Sequence, residues 1–236
     1  MNLLLSYLIK TFLFVVTMHQ HEVNPGLHEG SRENCLYFTL PVGLNFQRSS
    51  PAMWQAALKT WSDESTRYLF YPEQVVKTDR LTIQGDLIKH KLGLQKNKHI
   101  DIWITLCTTF TNNFESDPRT YLKTLNYDVD RIVNDLRVTN KSLFPYLSGP
   151  KMANYWIYIL HQFTDARFSN LASISIIPDT HVQQASIRLG ITQEGASPDE
   201  VAEAWFELLR GTALIPIDIH PILWNWSRNG FMPSVD

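Results

Sequence analysis

Apolar positions recur along this chain at the spacing of helical faces. Between Ser50 and Trp61 they fall at Met53, Trp54, Ala57, Leu58 and Trp61, the rhythm of one buried stripe on a 3.6-residue helix. Pro51 suits the first turn, where its missing N–H removes no bond. Ser197-Pro198-Asp199-Glu200 carries a capping-box signature, so a helix starts there, buries Val201, Ala204, Trp205, Leu208 and Leu209, and stops at Gly211. The same reading predicts a short helix from Tyr71-Pro72-Glu73 to about Lys77. Others follow over Ile83–Leu92 with a stop at Gly93, Lys98–Phe110, Asp117-Pro118 through Leu125, Val129–Leu136, and Asp218–Asn229 before Gly230. Leu36–Phe46, with Pro41 and Gly43 inside it, reads as strand or buried helix by periodicity alone. No strand-rich region and no internal repeat stands out. The fold class expected is all-α, with about ten helices joined by short loops.

Two helix starts carry side chains capable of chemistry. Leu143–Leu147 closes on a tight turn, Ser148-Gly149-Pro150, after which Lys151 opens a strongly apolar run to Phe163. This is a helix-hairpin-helix outline. Ile177-Pro178-Asp179 precedes a helix whose apolar positions are Val182, Ala185, Ile187 and Leu189, with Gly190 as its stop. Taken singly, an aspartate after proline is an N-cap, and a lysine after a Gly-Pro turn is a solvated surface residue.

Composition narrows the setting. With 236 residues, 44% hydrophobic and 12% aromatic, the chain can bury a sizeable core in one large domain or two small lobes. A formal net charge of −2 and a pI near 6.4 argue against non-specific coating of nucleic acid but leave room for a local basic face. Lys89, His90, Lys91, Lys96, Lys98 and His99 are its candidates, their plainest reading being a solvated loop. Cys35 and Cys107, the two cysteines, make neither a disulfide framework nor a zinc site, so a reducing compartment is the expectation and Cys107 is read as core. No metal and no cofactor is expected. Met1–Thr17 is apolar but short for a span, interrupted by Lys10 and without a charged leader or cleavage site. A start of translation at Met18, or a loosely attached helix, is the reading, with a membrane anchor as the alternative. His19–Asn34 reads as an irregular lead-in, so residues 1–34 are set apart from a helical domain over 35–236.

Gly149-Pro150-Lys151-Met152-Ala153-Asn154 resembles the end of the hairpin of the helix-hairpin-helix DNA glycosylases, the superfamily of endonuclease III and the archaeal 8-oxoguanine glycosylases. Ile177-Pro178-Asp179-Thr180-His181-Val182, with Arg188-Leu189-Gly190, resembles that family's Val-Asp-Thr-His-Val segment and its Arg-Leu-Gly ending. In the same order, Leu44-Asn45-Phe46-Gln47-Arg48 is similar to its early Leu-Ser-Ala-Gln segment. Leu87 to Ile100 is similar to its Ile-Gly-Leu-Tyr-Asn-Ser-Lys-Ala segment, and Ile219-His220-Pro221-Ile222-Leu223-Trp224 to its later His-x-x-Leu helix. The hairpin departs from Gly-x-Gly, and Pro150 offers no N–H to a phosphate. Two cysteines cannot ligate the iron–sulfur cluster that endonuclease III carries.

The resemblance implies a two-lobed helical glycosylase fold with a cleft between the lobes, helix for the Leu36–Phe46 run, and a role for each matched residue. Asp179 falls on the aspartate that nearly all members require, and Lys151 on the lysine that makes bifunctional members lyases. Gln47 falls on the glutamine that probes the duplex, with Arg48 beside it as a wedge. Ser148, Gly149 and Lys151 would offer backbone amides to a phosphate, and His181 would lie at the DNA surface or be only a hydrogen-bonded helix residue. The implied partner is duplex DNA containing a damaged base, met by a monomer in the cytoplasm or nucleoid. The longer stretch between Lys151 and Asp179, with Asp165–Ser175 as its excursion, leans towards the archaeal branch and an oxidised purine. Three other readings stay open: a helix-hairpin-helix DNA-binding protein without catalysis, an enzyme acting on the glycosidic bond of a modified nucleoside, and a membrane-tethered protein.

Overall fold

The computed structural model describes residues 23–212, 214–232 and 234; the Met1–Thr17 run lies outside them. Among the described residues the chain is mostly helical and has no strand, only an isolated parallel bridge between Asp128 and Ser169. No described helix is long and apolar enough to cross a membrane. The chain divides into two compact units, one ending at Ser169 and the other beginning at Asn170.

The first unit contains α1 (Arg32–Tyr37), α2 (Ser50–Ser62), α3 (Pro72–Val75), α4 (Arg80–Lys89), α5 (Lys98–Asn113), α6 (Pro118–Thr124), α7 (Val129–Asn134) and α8 (Pro150–Phe163). Side-chain caps start many of them. Ser31, Asp79, Asp117 and Asp128 each accept a hydrogen bond from a backbone N–H of the first turn, which satisfies donors that have no partner inside a helix. The core is aromatic: the Tyr37 ring lies 5.0–5.9 Å from those of Phe38, Trp54, Trp61 and Phe70, and Phe70 meets Trp103 edge-on. Each deeply buried indole N–H here finds an acceptor. Trp54 donates to Tyr155 Oη, Trp103 to the Leu69 carbonyl and Trp156 to Thr39 Oγ1, at 3.0, 3.0 and 3.1 Å.

Several expectations are corrected in this unit. Leu36–Phe46 is not one helix: α1 ends at Tyr37, and a 3₁₀ turn over Pro41–Leu44 follows, because proline cannot donate into a continuing α-helix. The lead-in from residue 23 is hydrogen-bonded to the helices around it. Asn34 Nδ2 donates to the Phe163 carbonyl at 2.7 Å, Tyr37 Oη to the Val23 carbonyl, and Arg119 to the Gly30 carbonyl. Helix α4 starts three residues before Ile83, where Asp79 caps it, and the left-handed residue at its end is Lys91 (φ 61°), not Gly93. A side chain at Gly93 would instead press on Leu87 Cβ at 3.2 Å. The Val129–Leu136 run splits into α7 and a π-helical turn over Asp135–Thr139, closed by Asn140 N–H on the Asp135 carbonyl. The arm before Lys151 is a 3₁₀ turn at Lys141–Leu143 followed by turns, rather than a helix.

The second unit holds α9 (Thr180–Arg188), α10 (Pro198–Leu209) and α11 (Pro216–Arg228). Val182 and Ala185 from α9, Val201, Trp205 and Leu209 from α10, and Ile219, Ile222, Leu223 and Trp226 from α11 share one core with Ile176. The buried Trp205 indole donates to Ser186 Oγ at 2.8 Å, and Ser186 Oγ donates onward to the Val182 carbonyl at 2.7 Å. The capping box at Ser197 and Glu200 is formed on both sides. Leu208, expected inside, is exposed, since it lies off the Val201–Trp205–Leu209 stripe.

Trp205→Ala empties the centre of this cluster and leaves Ser186 without its donor, so urea unfolding should show a loss of about 3–5 kcal/mol. Leu208→Ala, on the same helix, should change stability by less than about 0.5 kcal/mol.

Candidate active-site residues

Asp179 is placed by its own helix. Its backbone is extended (φ −76°, ψ 178°), and Oδ1 accepts from the N–H groups of His181 and Val182, each at 3.1 Å. Gln183 Nε2 donates back to the Pro178 carbonyl at 2.9 Å, pinning the turn. Both cap bonds end on Oδ1; among the described residues no hydrogen bond reaches Oδ2. The side chain is half-buried, so the carboxylate is held at a fixed angle with one oxygen still able to act on a neighbouring charge.

His181 follows directly. Its Nδ1 lies 3.1 Å from Ser227 Oγ, and its ring meets Trp224 edge-on at 5.5 Å. Ser227 Oγ donates its one proton to Gln184 Oε1, so it accepts from Nδ1–H, and the neutral imidazole is left with Nε2 as an acceptor. Only the protonated ring could donate to a phosphate.

Lys151 is the second residue of α8, whose N-cap Gly149 has no side chain to offer. Tyr155, one turn further on and on the same face, is fixed through its hydroxyl by the Trp54 indole. The lysine is exposed. The burial expected to favour a neutral amine is therefore absent from the protein by itself. The expected phosphate cradle is also corrected: Ser148 N–H donates to the Phe144 carbonyl at 2.9 Å and Gly149 N–H to the Tyr146 carbonyl at 3.1 Å. Forming the tight turn engages both amides, and Lys151 alone of the three has its N–H at the open helix start. The Ser148 side chain, with Val138, Thr139, Lys141 and Ser142, lines an open depression of about 480 Å³.

Gln47 and Arg48 separate in role. Gln47 is exposed with a left-handed backbone, φ 50°. Arg48 is a strut: its guanidinium donates to the carbonyls of Leu92 at 2.7 Å and Lys91 at 3.1 Å, and burial pulls its pKa below the ordinary value. It holds the loop after α4 and is not a free wedge.

An aromatic face that could hold a base must be reachable: Trp54, Trp103, Trp156 and Trp226 are buried in the two cores, whereas Trp224 and Phe46 keep open surface. Phe46 packs on Tyr146, with ring centroids 4.8 Å apart. Lys98 Nζ stands 4.5 Å from the first ring and 4.9 Å from the second. Sequence reasoning named Phe46 and Lys98 separately and missed Tyr146, which carries no motif. The basic run divides as well. Lys89 and His90 pair with Asp63 at 2.8 and 2.7 Å, and hydrogen bonds from Lys89, Ser65 and His90 hold that carboxyl well below its usual range. Burial pushes the Cys35 thiol up to about 12 and the Cys107 thiol well above its ordinary value, so both are core residues rather than nucleophiles. No group of His, Cys, Asp and Glu among the described residues is placed to hold a metal.

Comparison with protein-family models, with curated proteins and with solved structures finds no match to this chain.

Two measurements separate structural from chemical duties. Asp179→Ala should cost about 1 kcal/mol by urea unfolding, and Asp179→Asn, which keeps an acceptor at the cap, only a few tenths. His99 is the second case. Burial first, then Arg48 and Lys98, pull its pKa below the ordinary value, so the folded state binds a proton less readily than the unfolded chain. The stability this contributes is present above pH about 6.5 and is lost as pH falls below it towards the depressed folded value. Urea midpoints followed across that window should fall less steeply with acid in His99→Gln.

Proposed function

We propose that this protein is a base-excision DNA glycosylase with a lyase step, built on a two-lobed helical glycosylase fold. The observation that carries the reading is Asp179: a half-buried carboxylate fixed by two backbone donors on Oδ1, with Oδ2 outside the cap, in the sequence context that resembles the family's required aspartate. Breaking the bond from C1′ to a base builds positive charge on the sugar, and a rigid carboxylate beside it stabilises that charge. The base must first leave the helical stack. Lys151 supplies the nucleophile: its neutral amine bonds to C1′ as the base departs with the bonding pair and picks up a proton; the amine then loses a proton and the C1′–O4′ bond opens, O4′ taking a proton, to give the Schiff base, from which loss of a C2′ proton expels the 3′ phosphate by β-elimination. An exposed lysine must lose its proton for this, so bound DNA would have to bury the amine or a general base take the proton. The lesion class that the likeness to the archaeal branch favours is an oxidised purine such as 8-oxoguanine.

The test is release of free base from a panel of lesion-containing duplexes, 8-oxoguanine among them. Wild-type protein is expected to release one of them, and Asp179→Asn to slow that release by about 10²–10³-fold while keeping the fold. No release from any duplex, or an Asp179→Asn variant as fast as wild type, would overturn the assignment.

A further inference from the structure

The loops around Phe46, Lys91 to His99 and Tyr146 are built more tightly than a solvated basic loop requires. Three non-glycine residues there, Gln47, Lys91 and Tyr146, have left-handed backbones with φ of 50°, 61° and 67°, a conformation that persists only where the surroundings impose it. Lys98 stands over two aromatic faces at once and, among the described residues, forms no ion pair. The nearest carboxylate along its helix, Asp101, is engaged by Arg80 at 2.5 Å. The chain neighbour of Lys98, His99, is 1% exposed. Its Nδ1 accepts the Leu94 N–H at 3.1 Å, so in the neutral ring Nε2 carries the proton, and that buried donor has no acceptor. Arg48 Nε is a second buried donor without a partner. Lys98 thus brings an ammonium with no ion-pair partner among the described residues to two half-buried rings, and such an arrangement attracts an oxyanion joined to a planar group.

We propose that Phe46, Tyr146 and Lys98 form a subsite for one nucleotide of a single-stranded DNA segment. The base stacks on the ring surface that Lys98 covers in the free protein, and the ammonium moves to the adjoining phosphate. A paired base keeps both faces inside its own stack, so the platform selects unstacked nucleotides. The proposal rests on the glycosylase reading only in taking DNA as the polymer; it needs neither Lys151 nor Asp179.

Fluorescence anisotropy of a short labelled oligothymidylate, titrated with salt, tests it on the full chain. Lys98→Gln should weaken binding and lower the salt slope by about one. Tyr146→Asn, which tolerates the left-handed backbone but removes a ring, should weaken binding about tenfold with the slope unchanged, and Phe46→Leu likewise. Thermal melts by circular dichroism identify the variants that keep the fold, and Tyr146→Asn remains informative if Phe46→Leu does not fold. Binding indifferent to Lys98→Gln and Tyr146→Asn, or a duplex bound as tightly as the single strand with the same variant effects, would overturn the subsite. Wild-type base release with such indifference removes this proposal alone; Lys98-dependent binding without any base release removes the glycosylase reading alone.

Discussion

A tryptophan can be buried only if its indole N–H finds an acceptor, and this requirement sets the register of both units. Trp54 and Trp156 tie α2 and the chain after α1 to α8, through Tyr155 Oη and Thr39 Oγ1. Trp103 ties α5 to the Leu69 carbonyl, and Trp205 ties α10 to Ser186 on α9. An unpaired N–H at any of these points would carry a desolvation cost of about 1–3 kcal/mol. Apolar packing alone tolerates small rotations of a helix, whereas these bonds do not. Among the helices located in this way are α8 and α9, at whose starts Lys151 and Asp179 stand. The candidate chemistry therefore sits on the rigid ends of well-anchored elements, while the loop around Gln47 and Tyr146 accommodates left-handed backbones.

The two helix starts are finished differently. Asp179 closes its own helix with one oxygen, which makes its carboxylate at once a structural cap and a fixed charge. Gly149 closes nothing with a side chain, and the turn before it takes up the amides of Ser148 and Gly149. Any anion approaching Lys151 would meet the ammonium and the first free N–H groups of α8, not a three-amide cradle. Phosphate contacts of this kind position a nucleic acid without reading it.

Much of this was legible in the sequence because local chemistry decides it. Asp117, Asp179 and Ser197 are caps whose partners lie within the next three residues, and the structure forms each of them. What could not be read depends on distant neighbours. The π-turn at Asp135–Thr139, the break of the Leu36–Phe46 run and the exposure of Leu208 follow from packing across elements. Arg48 became a strut because the carbonyls of Lys91 and Leu92, more than forty residues away in sequence, are its acceptors. The run Lys89 to His99 looked uniform, yet Asp63 takes up Lys89 and His90 while Lys98 meets Phe46 and Tyr146. Tyr146 was invisible because an isolated aromatic in a turn has neither period nor motif.

The proposed lyase step requires a covalent bond between Lys151 and the sugar. Reduction with borohydride, in the presence of a duplex bearing an abasic site, measures this directly, because a Schiff base is trapped as a stable adduct. A protein–DNA adduct is expected with wild-type protein, lost in Lys151→Ala and kept in Leu208→Ala. An adduct of equal yield in Lys151→Ala, or none with wild-type protein, would contradict it.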